Sequence, residues 1–226
     1  MKISDFFEKG YYVNLDKRPE RKECFLNDMA KVGLGSFFER FPAFYHGDKS
    51  DFNYLTTHQA CGRSLVTVIK KAYDLGYNNV LVFEDDAYFL DDTLAYVESS
   101  LDTLSTINDW HMIYLGGMLL DHELNLVGKN LLKQNNLLTT HAIGYSREGM
   151  KKVIDGWRWN EGGGAAIDGW FSGEVHYGVP YFTKYVTYPL AVVQYEHRPS
   201  DLNGGVSAGL EDYTRGYINK PINKLY

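Results

Sequence analysis

Two spacings of apolar residues recur along the chain and predict its strands and helices. The unbroken apolar run Val80–Phe83 is typical of a strand buried on both faces of a parallel sheet. Residues 57–75 show helical spacing most clearly, with apolar side chains at Cys61, Leu65, Val68, Ile69 and Ala72. Gly76 follows as a helix-ending residue. Because this helix leads directly into the buried strand, the order of elements predicts a parallel sheet.

The same spacings predict the remaining elements and their organisation. Strands are expected over 11–15, 38–45, 79–86, 110–115 and 139–146, and a pair interrupted by Pro189 over 181–193. Helices are expected over 19–32, 93–104 and 147–157, with a short one near residue 168 and a hairpin excursion over 118–136. No repeat or linker divides the chain, so we expect one α/β domain, residues 1–226, with a mostly parallel central sheet flanked by helices.

Composition narrows the class of partner. The chain has 29 acidic and 23 basic residues and a formal charge of −6, which argues against a nucleic acid or an anionic membrane as partner. No apolar run approaches the length of about 18 residues that marks a membrane-spanning helix, and the first residues lack a signal-peptide core. We therefore expect no integral membrane segment and a cytoplasmic location. Cys24 and Cys61 lie on predicted helices among apolar neighbours and are expected to be buried thiols.

Three carboxylates, Glu84, Asp85 and Asp86, directly follow the buried strand. Ligands of open α/β sheets gather at the carboxyl ends of the strands. Glu84 and Asp86 are two residues apart, so an extended backbone would point them the same way. Oxygen ligands at this spacing suit Mg²⁺ or Mn²⁺ shared with a phosphate. Acidic residues also close strands as solvated turns, and the pattern alone leaves both interpretations open.

Several other residues carry candidate chemistry beside an ordinary structural interpretation. Arg18 and Arg21 lie where the first strand passes into a helix, and they either pair with a diphosphate or are solvated helix-start residues. The glycine pair beginning at Gly116 either lets a ligand approach the backbone or makes a turn. Asp168 either takes part in catalysis or caps a helix. The Trp- and Gly-rich segment 157–164 is either an acceptor-binding lid or a surface loop.

Taken in order, several of these segments resemble glycosyltransferase family 25, which includes lipooligosaccharide and collagen galactosyltransferases. Residues 12–21 are similar to the family's opening strand and its Asn-Leu-x-x-Arg-x-x-Arg turn, and Leu81–Asp86 to its Leu-Glu-Asp-Asp signature. Residues 110–117 resemble its Trp-Asp-x-x-Tyr-Leu-Gly strand. Further matches are Ala60-Cys61 with Ser64, Thr140–Tyr145, Ile167-Asp168, and Tyr188–Leu190 through Ser200-Asp201. The likeness extends over nearly the whole chain.

Two positions depart from the family pattern. The histidine that follows the serine of the Gly-Cys-x-x-Ser-His helix start is Leu65 here, which removes any role for that family histidine. The aspartate expected after Trp110 is His111, which we expect to be a structural or a surface residue. Both departures leave the donor and the acceptor open.

The resemblance implies a GT-A fold, a Rossmann-like domain that uses a nucleotide-diphospho sugar and Mn²⁺ or Mg²⁺. It implies that the metal ligands are Asp86, Glu84 and His197. It further implies that the nucleotide sugar is bound by Asn14, Leu15, Arg18, Arg21, Asp48, Glu84, Asp85 and Gly116. The implied activity is inverting transfer of galactose or glucose from a UDP-sugar to a hydroxyl of a glycan or glycoprotein acceptor.

In such a displacement, negative charge on the departing diphosphate is stabilised by the metal with help from Arg18 or Arg21. A carboxylate takes the proton from the acceptor hydroxyl, and Asp168 is the expected base.

Two other classes share some of these features. A sugar-nucleotide nucleotidyltransferase has a similar fold and an acidic metal site, but it normally carries a Gly-rich loop with Arg or Lys after the first strand. The turn over residues 16–21 has no glycine. A non-catalytic carbohydrate-binding relative would not need the acids at 84–86 and 168.

Overall fold

The structure is a computed structural model that describes residues 1–45, 56–120, 123–157, 166–172 and 182–195. Its helices are α1 (Ile3–Phe6), α2 (Pro19–Lys31), α3 (Thr57–Asp74), α4 (Leu94–Leu104), α5 (Arg147–Gly156) and α6 (Ile167–Ser172). Its strands are β1 (Lys9–Asn14), β2 (Phe38–Pro42), β3 (Asn79–Glu84), β4 (Ala87–Phe89), β5 (Met112–Tyr114), β6 (Met118–Leu119), β7 (Leu126–Gly128), β8 (Leu131–Lys133), β9 (Leu137–Leu138), β10 (Ala142–Ser146), β11 (Lys184–Thr187) and β12 (Val192–Gln194). The predicted helices agree with these bounds within one residue at most ends.

Eight strands form a mixed central sheet in the order β2-β1-β3-β10-β5-β11-β8-β7. The ladders β2–β1, β1–β3 and β5–β11 are parallel, whereas β10 and β8 run antiparallel to both of their neighbours. Only β10 and β8 therefore oppose the direction of the other strands. The expected α/β architecture, with a mostly parallel sheet flanked by helices, is confirmed.

Successive side chains of β3 lie on opposite faces of the sheet and are buried on both, which explains why the strand is continuously apolar. Val80 and Val82 belong to one core cluster, which includes side chains of α3, α5 and α6. Leu81 and Phe83 belong to a second cluster, on the other face, which includes side chains of α1, α2 and α4. All four of these side chains are essentially inaccessible to solvent. Helices cover both faces of the sheet, as a parallel arrangement requires.

Local signals fix the ends of α3, the helix that precedes β3. Thr56 accepts a hydrogen bond from the Gln59 N–H at 3.2 Å, and the Gln59 side chain accepts one from the Thr56 N–H at 2.8 Å. This reciprocal pair is a capping box. Gly76 follows the helix with φ of +88°, a conformation that glycine adopts without steric cost.

Several predicted strands extend beyond the observed ones; the strands predicted over 110–115 and 139–146, for example, are the shorter β5 and β10. The strand predicted over 38–45 ends at Pro42, which has no N–H to continue a ladder. The excursion over 118–136 forms the antiparallel β7–β8 pair and β6, which pairs with β9. The strand predicted over 79–86 ends at Glu84, and Asp85 and Asp86 form a turn into β4. Contrary to expectation, Glu84 and Asp86 do not lie on one extended strand, because Asp86 belongs to the turn that follows Glu84.

No helix in the parts of the chain that the structure describes combines the length and apolar character needed to cross a membrane.

Candidate active site

The carboxyl ends of β1 and β3 meet at one edge of the sheet, beside the first residues of the antiparallel strand β10. A solvent-open pocket lies at this edge. Its lining includes Glu84, Asp85 and Asp86 from the end of β3, Arg21 from α2 and Cys61 from α3. The three acids that the sequence singled out thus face one pocket, at the edge where open α/β sheets bind ligands.

One guanidinium bridges two of the three acids. Arg21 Nη2 lies 3.0 Å from Asp85 Oδ1 and 2.7 Å from Asp86 Oδ2. The exposed fractions of these side chains are only 11%, 8% and 17%, so water screens the ion pairs weakly. The turn after β3 places the two carboxylates where a single cationic group reaches both. Arg21 therefore occupies the position that a cation would take between Asp85 and Asp86.

Asn14 acts on Asp85 rather than on the pocket. It is 2% exposed, and its Nδ2 donates to Asp85 Oδ2 at 2.6 Å and to the Arg18 carbonyl at 3.0 Å. Its Oδ1 accepts from Arg40 Nε at 2.8 Å, which fixes the orientation of the amide. Asn14 was predicted to contact the nucleotide, but both ends of its amide are already used inside the protein. Arg40 was not predicted, since periodicity carries no sign of this contact.

Glu84 points to a different partner from its neighbours. Its Oε1 accepts a hydrogen bond from Thr140 Oγ1 at 2.6 Å, and its N–H donates to the His141 carbonyl at 2.9 Å. Burial and the charge of Asp86 raise the pKa of Glu84 to about 8. At neutral pH this carboxyl holds its proton for much of the time. A further positive group beside Glu84 would favour its charged form.

The last described strand closes the site from the other side. Gln194 Nε2 donates to Asp86 Oδ1 at 3.2 Å, and the Tyr195 N–H donates to the Asp86 carbonyl at 3.0 Å. The Tyr195 ring stacks on Tyr88 with ring centroids 4.1 Å apart. Gln194 lines the pocket and was missed by the sequence analysis, because nothing local distinguishes it from other polar strand ends.

Asp168 lies in the first turn of α6 and is held by backbone donors. Its Oδ2 accepts from the Thr139 N–H at 3.1 Å and its Oδ1 from the Gly169 N–H at 2.8 Å. Asp168 is not among the described residues that line the pocket, but Cys61 is. Burial raises the pKa of the Cys61 thiol, and the charges of Glu84 and Asp168 raise it further. Asp168 is therefore near enough to Cys61 to affect its thiol, but it does not line the pocket.

The other predicted residues have different surroundings. Leu15 lines the pocket, whereas Arg18 precedes α2 with Nη1 3.6 Å from Glu20 Oε1. A Cβ atom added at Gly116 would lie 1.7 Å from the Val192 carbonyl oxygen, so close packing accounts for this glycine. The predicted residues Asp48 and His197 and the proposed lid residues 158–164 lie outside the described residues.

Two buried histidines have internal partners. His141 Nε2 is 3.1 Å from the Val192 carbonyl, which can only accept, so Nε2 carries the hydrogen and Nδ1 accepts from Thr139 Oγ1 at 3.0 Å. His111 Nδ1 accepts from the Thr183 N–H at 2.7 Å, in agreement with its expected structural role. Burial lowers the pKa of both rings, which favours their neutral forms.

The acids that line the pocket match a hard cation in charge and in ligand type, but those described are not arranged as a metal site. Among the described residues, no group of three or more His, Cys, Asp or Glu side chains is arranged to hold a metal ion. Glu84 and Asp86 nevertheless supply oxygen ligands of the kind that Mg²⁺ and Mn²⁺ prefer. Three carboxylates face the pocket against the one guanidinium of Arg21. Burial, and then the charges of Asp86 and Asp85, raise the pKa of Glu84, and a divalent cation would offset those charges.

Comparison with known proteins gives structural matches only. No protein-family model matches the chain, and neither does any curated protein sequence, so assignment to glycosyltransferase family 25 has no support from these comparisons. Three solved structures illustrate the structural likeness.

Mannose-1-phosphate geranyltransferase from Thermus thermophilus is 10% identical and has a TM-score of 0.43; the match covers 79% of this chain and 72% of the geranyltransferase chain. UDP-glucose pyrophosphorylase with UDP-glucose is 8% identical and has a TM-score of 0.44; the match covers 94% of this chain and 82% of the pyrophosphorylase chain. A mutant Drosophila β-1,4-galactosyltransferase 7 with manganese, UDP-Gal and xylobiose is 13% identical, with coverage of 96% and 78% and a TM-score of 0.37. At such low identities and TM-scores, the function of this chain rests on its own site residues.

Proposed function

We propose that the chain is an inverting glycosyltransferase with a GT-A type domain. It transfers galactose or glucose from a UDP-sugar to a hydroxyl of a glycan or glycoprotein acceptor. The observation that carries this proposal is the convergence of Glu84, Asp85, Asp86 and Arg21 in one pocket at the carboxyl edge of the sheet. Transfer from a nucleotide-diphospho sugar requires acids that hold a cation and, beside them, a group that binds the diphosphate.

The nucleotide is assigned to the part of the pocket that β1 and the segment after β2 form. Leu15, Phe44 and Tyr45 line it and supply apolar and aromatic surface for a base. The Arg63 guanidinium lies 4.7 Å from the Phe44 ring centroid, and Lys17 Nζ lies 4.1 Å from that of Tyr45. Both rings therefore carry a cation on one face, which suits a ligand with phosphate groups nearby.

Asp86 and Glu84 would hold Mn²⁺ or Mg²⁺, with His197 as a further ligand. When bound, the metal supplies positive charge for the oxygens of the departing diphosphate. Arg21 offsets part of the same charge from its place at the start of α2. Asn14 keeps Asp85 in position for its contact with Arg21.

Asp168 acts as the base that accepts the proton of the acceptor hydroxyl. The Thr139 and Gly169 N–H groups hold its carboxylate in one orientation, which a base that accepts a proton from a positioned hydroxyl needs. Attack by that hydroxyl on the side opposite the diphosphate inverts the anomeric carbon.

The test is a thermal-shift panel of UDP-, GDP- and CMP-sugars, each with Mn²⁺ or with EDTA. We expect one UDP-sugar to raise the midpoint only when Mn²⁺ is present, since ligand bound to the native state stabilises it. Asp86→Asn should lose the shift, and Asp91→Asn, which alters an exposed acid beyond the site, should keep it. Absence of a shift with every UDP-sugar would contradict the proposal. Release of pyrophosphate from UTP and a sugar 1-phosphate would assign the site to a nucleotidyltransferase instead.

A further inference from the structure

The segment Thr139–His141, just before β10, connects the two acids that the proposed reaction needs. The Thr139 N–H donates to Asp168 Oδ2 at 3.1 Å. Thr140 Oγ1 donates to Glu84 Oε1 at 2.6 Å. The two acids belong to different elements, α6 and the end of β3, yet adjacent residues of one segment hold them.

The backbone of this segment is strained at Thr139. Its φ is +69°, a region that β-branched residues rarely occupy. The side chain is held there by a hydrogen bond of 3.0 Å between Oγ1 and His141 Nδ1. His141 is in turn fixed to the Val192 carbonyl at 3.1 Å. Strain that the surrounding contacts maintain is a feature of functional sites, and here it turns the Thr139 N–H toward Asp168.

The Thr140 hydroxyl has a single described acceptor, the Glu84 carboxylate. Thr140 is itself 6% exposed, so its rotamer is set by packing and the direction of its hydroxyl is fixed. The Glu84 N–H donates to the carbonyl of the next residue, His141, at 2.9 Å. Glu84 is thus attached to this segment through both its backbone and its side chain.

We infer that Thr139 and Thr140 are positioning residues for the transfer reaction, Thr139 for the base Asp168 and Thr140 for the donor-binding acid Glu84. The inference rests on the proposed function. Because the two residues are adjacent, their Cα atoms are about 3.8 Å apart, and this fixes the relation between the two acids. Loss of each hydroxyl should therefore disturb a different stage of the reaction.

The test compares two isosteric variants, each of which removes one hydroxyl. Thr140→Val should weaken the binding of UDP with Mn²⁺ about ten-fold, as loss of a hydrogen bond to a carboxylate that binds the metal does, and should change kcat little. Thr139→Val frees the strained residue from His141, so it should lower kcat at least about ten-fold and leave UDP affinity unchanged. Calorimetry gives the affinity, and initial rates give kcat and KM.

Three variants serve as controls. Thr140→Ser and Thr139→Ser keep the hydroxyls and should restore affinity and kcat respectively. Thr187→Val removes another buried hydroxyl, which pairs with Ser100 Oγ at 2.9 Å away from the acids. It should reduce thermal stability and change neither kinetic constant.

Wild-type protein that binds no sugar nucleotide would overturn the proposed function itself. If wild type binds and transfers, three results would overturn the positioning inference. These are equal losses of affinity and kcat in both Val variants, no loss in either, and failure of the Ser variants to restore function. Circular dichroism of each variant separates these results from a failure to fold, and Thr140→Ala or Thr139→Ala, which also removes the hydroxyl, replaces a Val variant that does not fold.

Discussion

The Glu84 carboxyl is held where its charged form is unfavourable, and Glu84→Gln removes that charge while keeping the shape of the side chain. The amide oxygen of a glutamine can still accept the hydrogen bond that Thr140 Oγ1 gives to Glu84. Burial and the neighbouring Asp86 raise the pKa of Glu84 from 4.5 to about 8. The variant should therefore be more stable than wild type above pH 4.5, where the unfolded wild-type chain has lost the proton, and the gain should be full above about pH 8.

The sign and size follow from proton linkage. Below pH 4.5 the carboxyl is protonated in both states and the substitution changes little. Between 4.5 and about 8 the folded state keeps a proton that the unfolded state has lost, so wild-type stability falls as pH rises. Each unit of pKa difference corresponds to about 1.4 kcal/mol, and relaxation and water at the open pocket reduce the total. We expect a stabilisation on the order of 1–2 kcal/mol above pH 8, or roughly 3–6 °C in Tm for a chain of this length.

The assay is thermal unfolding in EDTA at pH 5 and pH 8.5, with wild type, Glu84→Gln and Glu39→Gln. Lys71 and Lys9 lower the pKa of Glu39, so its contribution has the opposite sign. That contribution is present above the unfolded-state pKa and is lost as pH falls through the folded-state pKa, so Glu39→Gln should be less stable than wild type at pH 8.5. A Tm difference for Glu84→Gln that is equal at both pH values, or negative at pH 8.5, would refute the reasoning.

Three further predictions follow from the same contacts. Arg21→Gln frees Asp85 and Asp86 from their guanidinium, so the nucleotide-free protein should bind Mn²⁺ more tightly than wild type in an electron paramagnetic resonance titration; unchanged affinity would contradict this. Gly116→Ala forces a Cβ against the Val192 carbonyl and should cost about 3 kcal/mol in denaturant unfolding, since overpacking is rarely relieved in full. Because burial lowers the pKa of His111, the unfolded state takes up the proton first, and stability should fall as pH drops through about 6.5, less steeply in His111→Gln.

Periodicity predicted α2 to α5 and the main core strands, and it predicted the edge of the sheet where the acids lie, but it did not predict α1 or β4. The apolar run of β3 and the helical spacing of α3 indicate which residues are buried. Burial can be predicted from a short segment, because it depends on the apolar character of each residue. The same pattern placed Glu84, Asp85 and Asp86 at a ligand-binding edge, and the pocket lies there. Burial patterns therefore predicted where a site would form.

The partners within the site could not be predicted in the same way. Thr140 meets Glu84 across 56 residues, and Gln194 meets Asp86 across 108. A pattern of apolar positions gives no register for such pairs, and it does not show that β10 runs antiparallel to β3. The pattern of apolar positions also did not predict the turn at Asp85, because an acidic pair after a strand is compatible with an extended or a turned backbone.

The long sequence separations at the site have a consequence for folding. The contacts of the acids with Asn14, Arg21, Thr140 and Gln194 join residues 71, 65, 56 and 108 positions apart. Each of these contacts needs a long loop to close before it forms, so none can nucleate folding locally. The acids stay mutually repelling until β1, β10 and β12 have all reached β3 and β4. A nucleotide sugar would then recognise only the completed chain, and its binding would slow unfolding without accelerating folding.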